Sequence, residues 1–249
     1  MRKRLAQYYA HDLYATDLAA NSAEVVVPMM IELAQPASVV DIGCGRGVWL
    51  KVFRAHGVNR ILGLDGDYID PATLLIPSDC FRSIDLGGAF EIGRERFDLA
   101  VCLEVAEHLQ PRFAAHLVRQ LVAAAPIVVF SAAPPGQFGG GHVNCQPVSY
   151  WRALFDQCGF EMLDPLRPRI RDDRRVSWWY RQNMVLFGSP EAIAAHRALA
   201  ECPEVPKGLE SEWVYRWVAD AQAGGTAMRV RRLTRKVLRS AKKALQPKP

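Results

Sequence analysis

The chain has 249 residues, half of them apolar, enough for one substantial core with a small appendage. It contains no apolar run of about 18 residues, and its basic start, MRKRLAQYYAHDLYA, has no apolar stretch behind it, so neither a membrane-spanning helix nor a signal peptide is predicted. The net charge of +5 belongs to one end: residues 229–249 hold nine Lys/Arg and no acid, while the first 228 residues carry 22 basic and 26 acidic side chains. Six cysteines are scattered without a CxxC pair or a His/Cys cluster at zinc spacing, which predicts a reduced, cytoplasmic protein without a metal site.

Residues 5–35 read as helix, with an apolar stripe through Val25, Val26, Met29, Met30 and Leu33. The next segment, VVDIGCGRG at 39–47, is the most informative in the chain. An apolar strand ends in Asp41, and glycines alternate at Gly43, Gly45 and Gly47 ahead of a helix beginning VWLKVF. A glycine turn between a buried strand and a helix lets backbone approach a nucleotide or nucleoside closely. The spacing is GxGxG, with Val48 where a third Rossmann glycine would stand. A carboxylate before the turn suits a cationic ligand and opposes a pyrophosphate.

Further strands follow in ILGLDGDY (61–68), FRSIDL (81–86), FDLAVCL (97–103) and PIVVFS (126–131). Their alternation with helical segments predicts a parallel sheet with helices on both faces. YWRALFDQCGF (150–160) reads as an amphipathic helix, EMLD as another strand and QNMVLFGS (182–189) as the last. Two helices, 190–201 and about 209–222, form an extension before Gly224-Gly225 and the basic tail. The predicted organisation is 1–36 as a helical cover, 37–189 as the core, 190–225 as a helical extension and 226–249 as the tail.

The glycine turn with Asp65, Asp85 and EVAEHL (104–109), in that order, resembles the class I methyltransferases that use S-adenosylmethionine. That resemblance implies a Rossmann-like seven-stranded sheet, mostly parallel with its last strand antiparallel. It implies a cofactor site of Asp41, Gly43, Cys44, Gly45, Asp65, Gly66, Asp85, Leu86, Leu103 and Glu104. Asp65 would take the ribose diol and Asp85 the adenine amino group. An exocyclic-amine enzyme would want Asn/Asp-Pro-Pro-aromatic after the fourth strand, which is missing. A cytosine C5 enzyme would want a Pro-Cys nucleophile, and a catechol-type enzyme a carboxylate cluster; neither is found in the sequence.

After the fifth strand, GQFGGGHVNCQPVSYW (136–151) brings a glycine-rich approach and then polar residues His142, Asn144 and Gln146. In an extended segment these share one face, which presents a base and two amides to a polyhydroxylated acceptor. His142 is the first candidate base and His108 the second; the alternative is that His142 and Asn144 tie down the loop backbone. Trp151, and Trp178, Tyr180 and Arg181 in WWYR, are candidate acceptor contacts through stacking and ion pairing. If WWYR is a strand, Trp178 and Tyr180 point one way and Trp179 the other. The loop, YWRALFDQCGF and WWYRQNMVLFG together resemble bacterial methyltransferases of surface-polysaccharide and glycan synthesis, implying a sugar-hydroxyl acceptor.

Residues 228–245 put apolar residues at helical spacing among arginines and lysines, the pattern of an amphipathic helix on an anionic membrane surface. Nucleic acid is the second partner class for that charge, and a solvated end the third reading. Two functions from different classes follow. One is O-methylation of a sugar hydroxyl in a bacterial glycan or its precursor, at the inner face of a membrane. The other is a non-catalytic cofactor-binding or scaffold protein tethered by the tail.

Overall fold

The computed structural model describes residues 17–88, 90–137, 139–203 and 205. Its centre is set by three five-residue strands, β1 (Ser38–Ile42), β4 (Leu99–Leu103) and β5 (Ile127–Ser131), buried throughout. Predominantly apolar runs of this kind suit strands covered on both faces. With β2 (Arg60–Asp65), β3 (Phe81–Ser83), β6 (Glu161–Leu163) and β7 (Val185–Gly188) they form one seven-stranded sheet in the order β3-β2-β1-β4-β5-β7-β6. Every neighbouring pair is parallel except those made by β7, which runs antiparallel to both β5 and β6. The seven-stranded, mostly parallel sheet with its antiparallel last strand is as expected.

Alternate side chains of each strand enter two different cores. Val39, Leu99, Val101 and Val129 pack beneath α1 (Asp17–Ala34) and α2 (Val48–Ala55). Val40, Ala100, Cys102 and Phe130 face α3 (Ala114–Ala124) and α4 (Val148–Asp156) on the other side. The stripe predicted for α1 buries Val25, Val26, Met30 and Leu33, whereas Met29 stays partly exposed. The second core is rich in rings: Phe155 stacks on Phe187 at 3.8 Å between centroids, and both meet Phe130 edge-on.

Strand order reverses between β1 and β4, so the chain leaves their carboxyl ends in opposite directions and opens a crevice there. In open α/β sheets this is where ligands bind. At the opposite, amino ends of the same two strands the Asp98 carboxylate accepts from the Ala37 and Ser38 amides at 3.0 and 2.8 Å and ties β1 to β4.

Two expectations need correction. WWYR is not a strand: Trp178–Asn183 form the helix α6, after the short helix α5 (Arg167–Ile170). Trp and Tyr favour strands locally, but β7 starts its ladder at Val185, paired with Phe130, and nothing upstream of it joins the sheet. His108, the second candidate base, stands in no long helix. It closes a single turn, Ala106–His108, and α3 starts only after Pro111. Beyond β7 the chain forms two short helices, α7 (Pro190–Ala195) and α8 (Arg197–Ala200). Residues 5–16, the helix expected at 209–222 and the basic tail lie outside the described residues.

Candidate active site

The turn after β1 is built by hydrogen bonds to its neighbour strand. The amides of Gly43 and Cys44 donate to the Leu64 carbonyl at 2.7 and 3.2 Å, and Gly47 donates to Cys44. Gly43 has φ +81° and lies against Val105, so a Cβ there would collide with its side chain. Gly45, at φ +55°, has nothing within 4 Å of where a Cβ would be. One glycine is required by packing, and the other faces open space.

Two carboxylates flank that space. Asp41 is buried, and its Oδ2 has no hydrogen-bond partner among the described residues. Burial, reinforced by the charge of Asp65, raises its pKa well above the ordinary carboxylate range. Asp65 accepts from the amides of Gly45 and Gly66, both at 2.6 Å, and from the Tyr68 hydroxyl. Burial raises its pKa and those hydrogen bonds oppose the rise. The cradle therefore offers one buried carboxylate short of a partner and another already set to accept hydroxyl donors. That fits a ligand carrying a positive centre and a ribose. Cys44 is buried with its thiol on the Gly45 carbonyl, and Leu86 and Leu103 are buried, lending apolar surface. Asp85 is exposed beyond β3 and accepts from the Gly87 amide at 3.0 Å.

Glu104 follows β4 in the left-handed region, φ +56°, where a non-glycine residue is strained by about 1–3 kcal/mol. Its amide is held by the backbone carbonyl and the hydroxyl of Ser131, at 3.0 and 3.1 Å. Its carboxylate is gripped by Asn183 Nδ2 at 3.0 Å and Gln137 Nε2 at 2.9 Å. Gln182 completes this amide ring through Asn183 and Gln137. Burial raises the Glu104 pKa, and the bonds from Asn183, Ser131 and Gln137 lower it.

One turn further, Glu107 is fully buried, and neither carboxylate oxygen has a hydrogen-bond partner among the described residues. Burial, then the charge of Glu104, raises its pKa well above normal. The Glu107 carbonyl, by contrast, accepts from both the Val143 and Asn144 amides, at 2.8 and 3.0 Å. This clamp fixes the acceptor loop and places His142 over the turn. His142 Nε2 lies 3.9 Å from Glu107 Oε1, and its ring meets His108 edge-on at 4.9 Å between centroids. Burial lowers both imidazole pKa values; His108, also pressed by His142, falls to about 4. Both rings are thus neutral at pH 7.

The structure brings His142 and His108 together beside Glu107, and parts them from several other predicted contacts. Asn144 is buried, with its amide directed at the Ala106 carbonyl at 3.4 Å, and Gln146 bonds Asn144. These two tie down the loop, and the shared extended face does not form. Trp151 is 1% exposed against Phe130, and Tyr180 is 6% exposed against Trp49, so both are core residues rather than acceptor contacts. Arg181 is half-buried and donates to the Arg171 carbonyl at 3.0 Å. Trp178, 37% exposed, is the member of that group turned to solvent. Glu107, Gln137, Gln182 and Asn183 were not singled out in the sequence. Glu107 had a signal, its adjacency to His108 in EVAEHL; the amides had none.

The crevice thus defines a nucleoside-binding α/β protein with a carboxylate–imidazole cluster at its far end. The family model described as a methyltransferase domain matches residues 8–132, half of the chain, and the chain belongs to that family. Its cofactor is S-adenosylmethionine, and the cradle formed by Asp41, Gly43, Gly45 and Asp65 has the charge and the space for it. Among solved structures the chain is similar to a provisionally assigned O-methyltransferase of Nostoc punctiforme PCC 73102 (16% identity, TM-score 0.50, covering 69% of this chain and 57% of that one). It is also similar to an O-methyltransferase family protein of Burkholderia thailandensis (15%, 0.47, 73% and 61%). A third is the magnesium protoporphyrin IX methyltransferase of Synechocystis PCC 6803, solved with bound SAH (16%, 0.45, 70% and 83%). The chain spans about three fifths of the first two, and likeness at this identity speaks for the fold alone. Among curated proteins none matches the chain in sequence. No helix among the described residues is long and apolar enough to cross a membrane.

Proposed function

We propose that the protein is an S-adenosylmethionine-dependent O-methyltransferase whose acceptor is a sugar hydroxyl of a bacterial surface glycan or its precursor. The observation that carries this reading is the cluster of Glu107, His108 and His142 at the end of the cofactor crevice. Transfer from the sulfonium forms an O–CH3 bond and breaks the S–CH3 bond, leaving its electron pair on sulfur, while the acceptor hydroxyl gives up its proton. The chain must therefore align that hydroxyl, worth up to about 7–11 kcal/mol, and manage its proton. His142 is neutral at pH 7, with Nδ1 held near the Gln137 carbonyl at 3.2 Å and Nε2 toward Glu107. An imidazole so oriented is suited to handle a hydroxyl proton.

Trp178 offers an exposed ring for a sugar face. The basic tail, 228–245, would carry the enzyme to an anionic surface at about 1 kcal/mol per basic residue near the lipid, which suits a lipid-linked acceptor.

The test is a labelled methyl-donor assay against a panel of nucleotide sugars, lipid-linked saccharides and polymer fragments. Transfer to a saccharide hydroxyl, lost by about 10²–10⁴-fold in His142→Ala with S-adenosylhomocysteine affinity retained, is the expected result. Transfer only to amine or carboxylate acceptors would overturn the hydroxyl assignment.

A further inference from the structure

We propose that Glu107, His108 and His142 bind a divalent first-row transition cation at the acceptor end of the crevice. Each residue offers one ligand atom, and these atoms lie within 4.8 Å of one another. Tetrahedral ligands about 2.1 Å from a common ion stand about 3.4 Å apart. The 3.9 Å between Glu107 Oε1 and His142 Nε2 therefore has to close by about 0.5 Å, and the widest pair by up to about 1.4 Å.

Three features separate this cluster from a chance meeting of side chains. The Glu107 carboxylate is fully buried and aimed into the cluster, with no hydrogen-bond partner among the described residues. To ionise in such a place, as a metal ligand must, the carboxyl needs a positive partner, which a cation would supply. Each imidazole is held by backbone: His142 Nδ1 faces the Gln137 carbonyl at 3.2 Å, and His108 is hydrogen-bonded to the backbone of Gly141. Backbone partners of this kind fix the tautomer and ring angle of metal-bound histidines. Finally, the Val143 and Asn144 bonds to the Glu107 carbonyl lock the loop carrying one ligand to the turn carrying the other two.

Two imidazoles and one carboxylate favour Mn²⁺, Fe²⁺, Co²⁺ or Zn²⁺ over Mg²⁺ or Ca²⁺, which prefer all-oxygen sites. With three protein ligands the ion keeps coordination positions for an acceptor oxygen, whose proton it acidifies. This role rests on the methyltransferase reading, and it makes His142 a ligand instead of the base. The binding itself rests only on the cluster.

The experiment uses the full-length protein, stripped with a chelator and dialysed. It is titrated with MnCl₂, read by the paramagnetic resonance of free ion, and with CoCl₂, read by visible absorption. One ion per chain is expected, with affinity lowered at least tenfold in Glu107→Gln and in His142→Asn. S-adenosylhomocysteine is titrated calorimetrically into the same samples and should bind all three proteins alike. Thermal melts check folding; should Glu107→Gln fail to fold, His142→Asn, on the loop, carries the test. No stoichiometric ion in the wild type, or binding unchanged in a folded variant, would overturn the proposal. Failure of the wild type to bind S-adenosylhomocysteine would instead remove the methyltransferase reading and leave the metal result standing.

Discussion

Replacing Gly43 and Gly45 separately by alanine should divide packing from ligand binding within one turn. At Gly43 the new methyl meets Val105, whose Cγ1 and Cβ would stand only 3.0 and 3.2 Å away with Cγ2 closer still. Overpacking of that kind costs about 1–3 kcal/mol, and φ of +81° adds about 1 kcal/mol for a residue with a Cβ. A chain of this size loses roughly 2–4 °C of melting temperature per kcal/mol, so Gly43→Ala should melt about 5–15 °C lower. Gly45→Ala carries only the backbone cost, about 1 kcal/mol, because no atom lies within 4 Å of its Cβ. It should melt about 2–4 °C lower. Its methyl fills the space left for cofactor, however. Saturating S-adenosylhomocysteine at about 100 times its Kd adds roughly 2.7 kcal/mol to a protein that binds it. The wild type should therefore gain about 5–11 °C, and Gly45→Ala far less. The assay is thermal denaturation with and without ligand, backed by calorimetry. A full ligand shift in Gly45→Ala would refute the placement of the cofactor over Gly45. A Gly43→Ala protein as stable as wild type would refute the contact with Val105.

Asp41→Asn should stabilise the ligand-free protein while weakening cofactor binding. Burial and Asp65 raise the folded-state pKa of Asp41, so the folded form holds its proton more tightly and stability falls as pH climbs above the ordinary carboxylate pKa. The gain in melting temperature over wild type should accordingly be small at pH 4 and larger at pH 8; a gain independent of pH would contradict this. Phe155→Ala removes the ring stacked on Phe187 and should cost about 3–5 kcal/mol, read by urea denaturation, with the cofactor's Kd little changed in the folded fraction. Asn183→Leu takes one donor from the buried Glu104 carboxylate and should cost about 1–3 kcal/mol. It should also reduce kcat, since the turn that leads to Glu107 loses an anchor; unchanged stability would mean Glu104 draws its support elsewhere.

The sheet was legible because its determinants are local. SVVDI, LAVCL and IVVFS are mostly apolar, and each runs into a turn or a helix with its own signature. The glycine turn and its two flanking carboxylates were legible for the same reason, since Asp41, Gly43, Gly45 and Asp65 stand at strand ends whatever surrounds them. The last strand was expected from Gln182, but its ladder starts at Val185, opposite Phe130, and WWYRQN winds into a helix before it. Trp151 and Tyr180 look like acceptor contacts by residue type, yet Phe130 and Trp49 bury them, and those partners are distant in sequence. The same holds for the metal cluster. Glu107 and His108 are adjacent, but His142 lies 34 positions beyond His108, and only the bonds from the loop amides to the Glu107 carbonyl bring the two parts together.

The placement of β7 has a consequence for the order in which the crevice is completed. This strand is the last of the sheet to leave the ribosome, yet it inserts between β5 and β6. Asn183 and Gln182, just ahead of it, brace Glu104, a residue made some eighty positions earlier. A nascent chain can therefore hold every glycine and carboxylate of its cofactor turn while the bend at Glu104 still lacks its brace. Maturation of the crevice is tied to completion of the sheet, and a chain that stops short of Gly188 ends before either is finished.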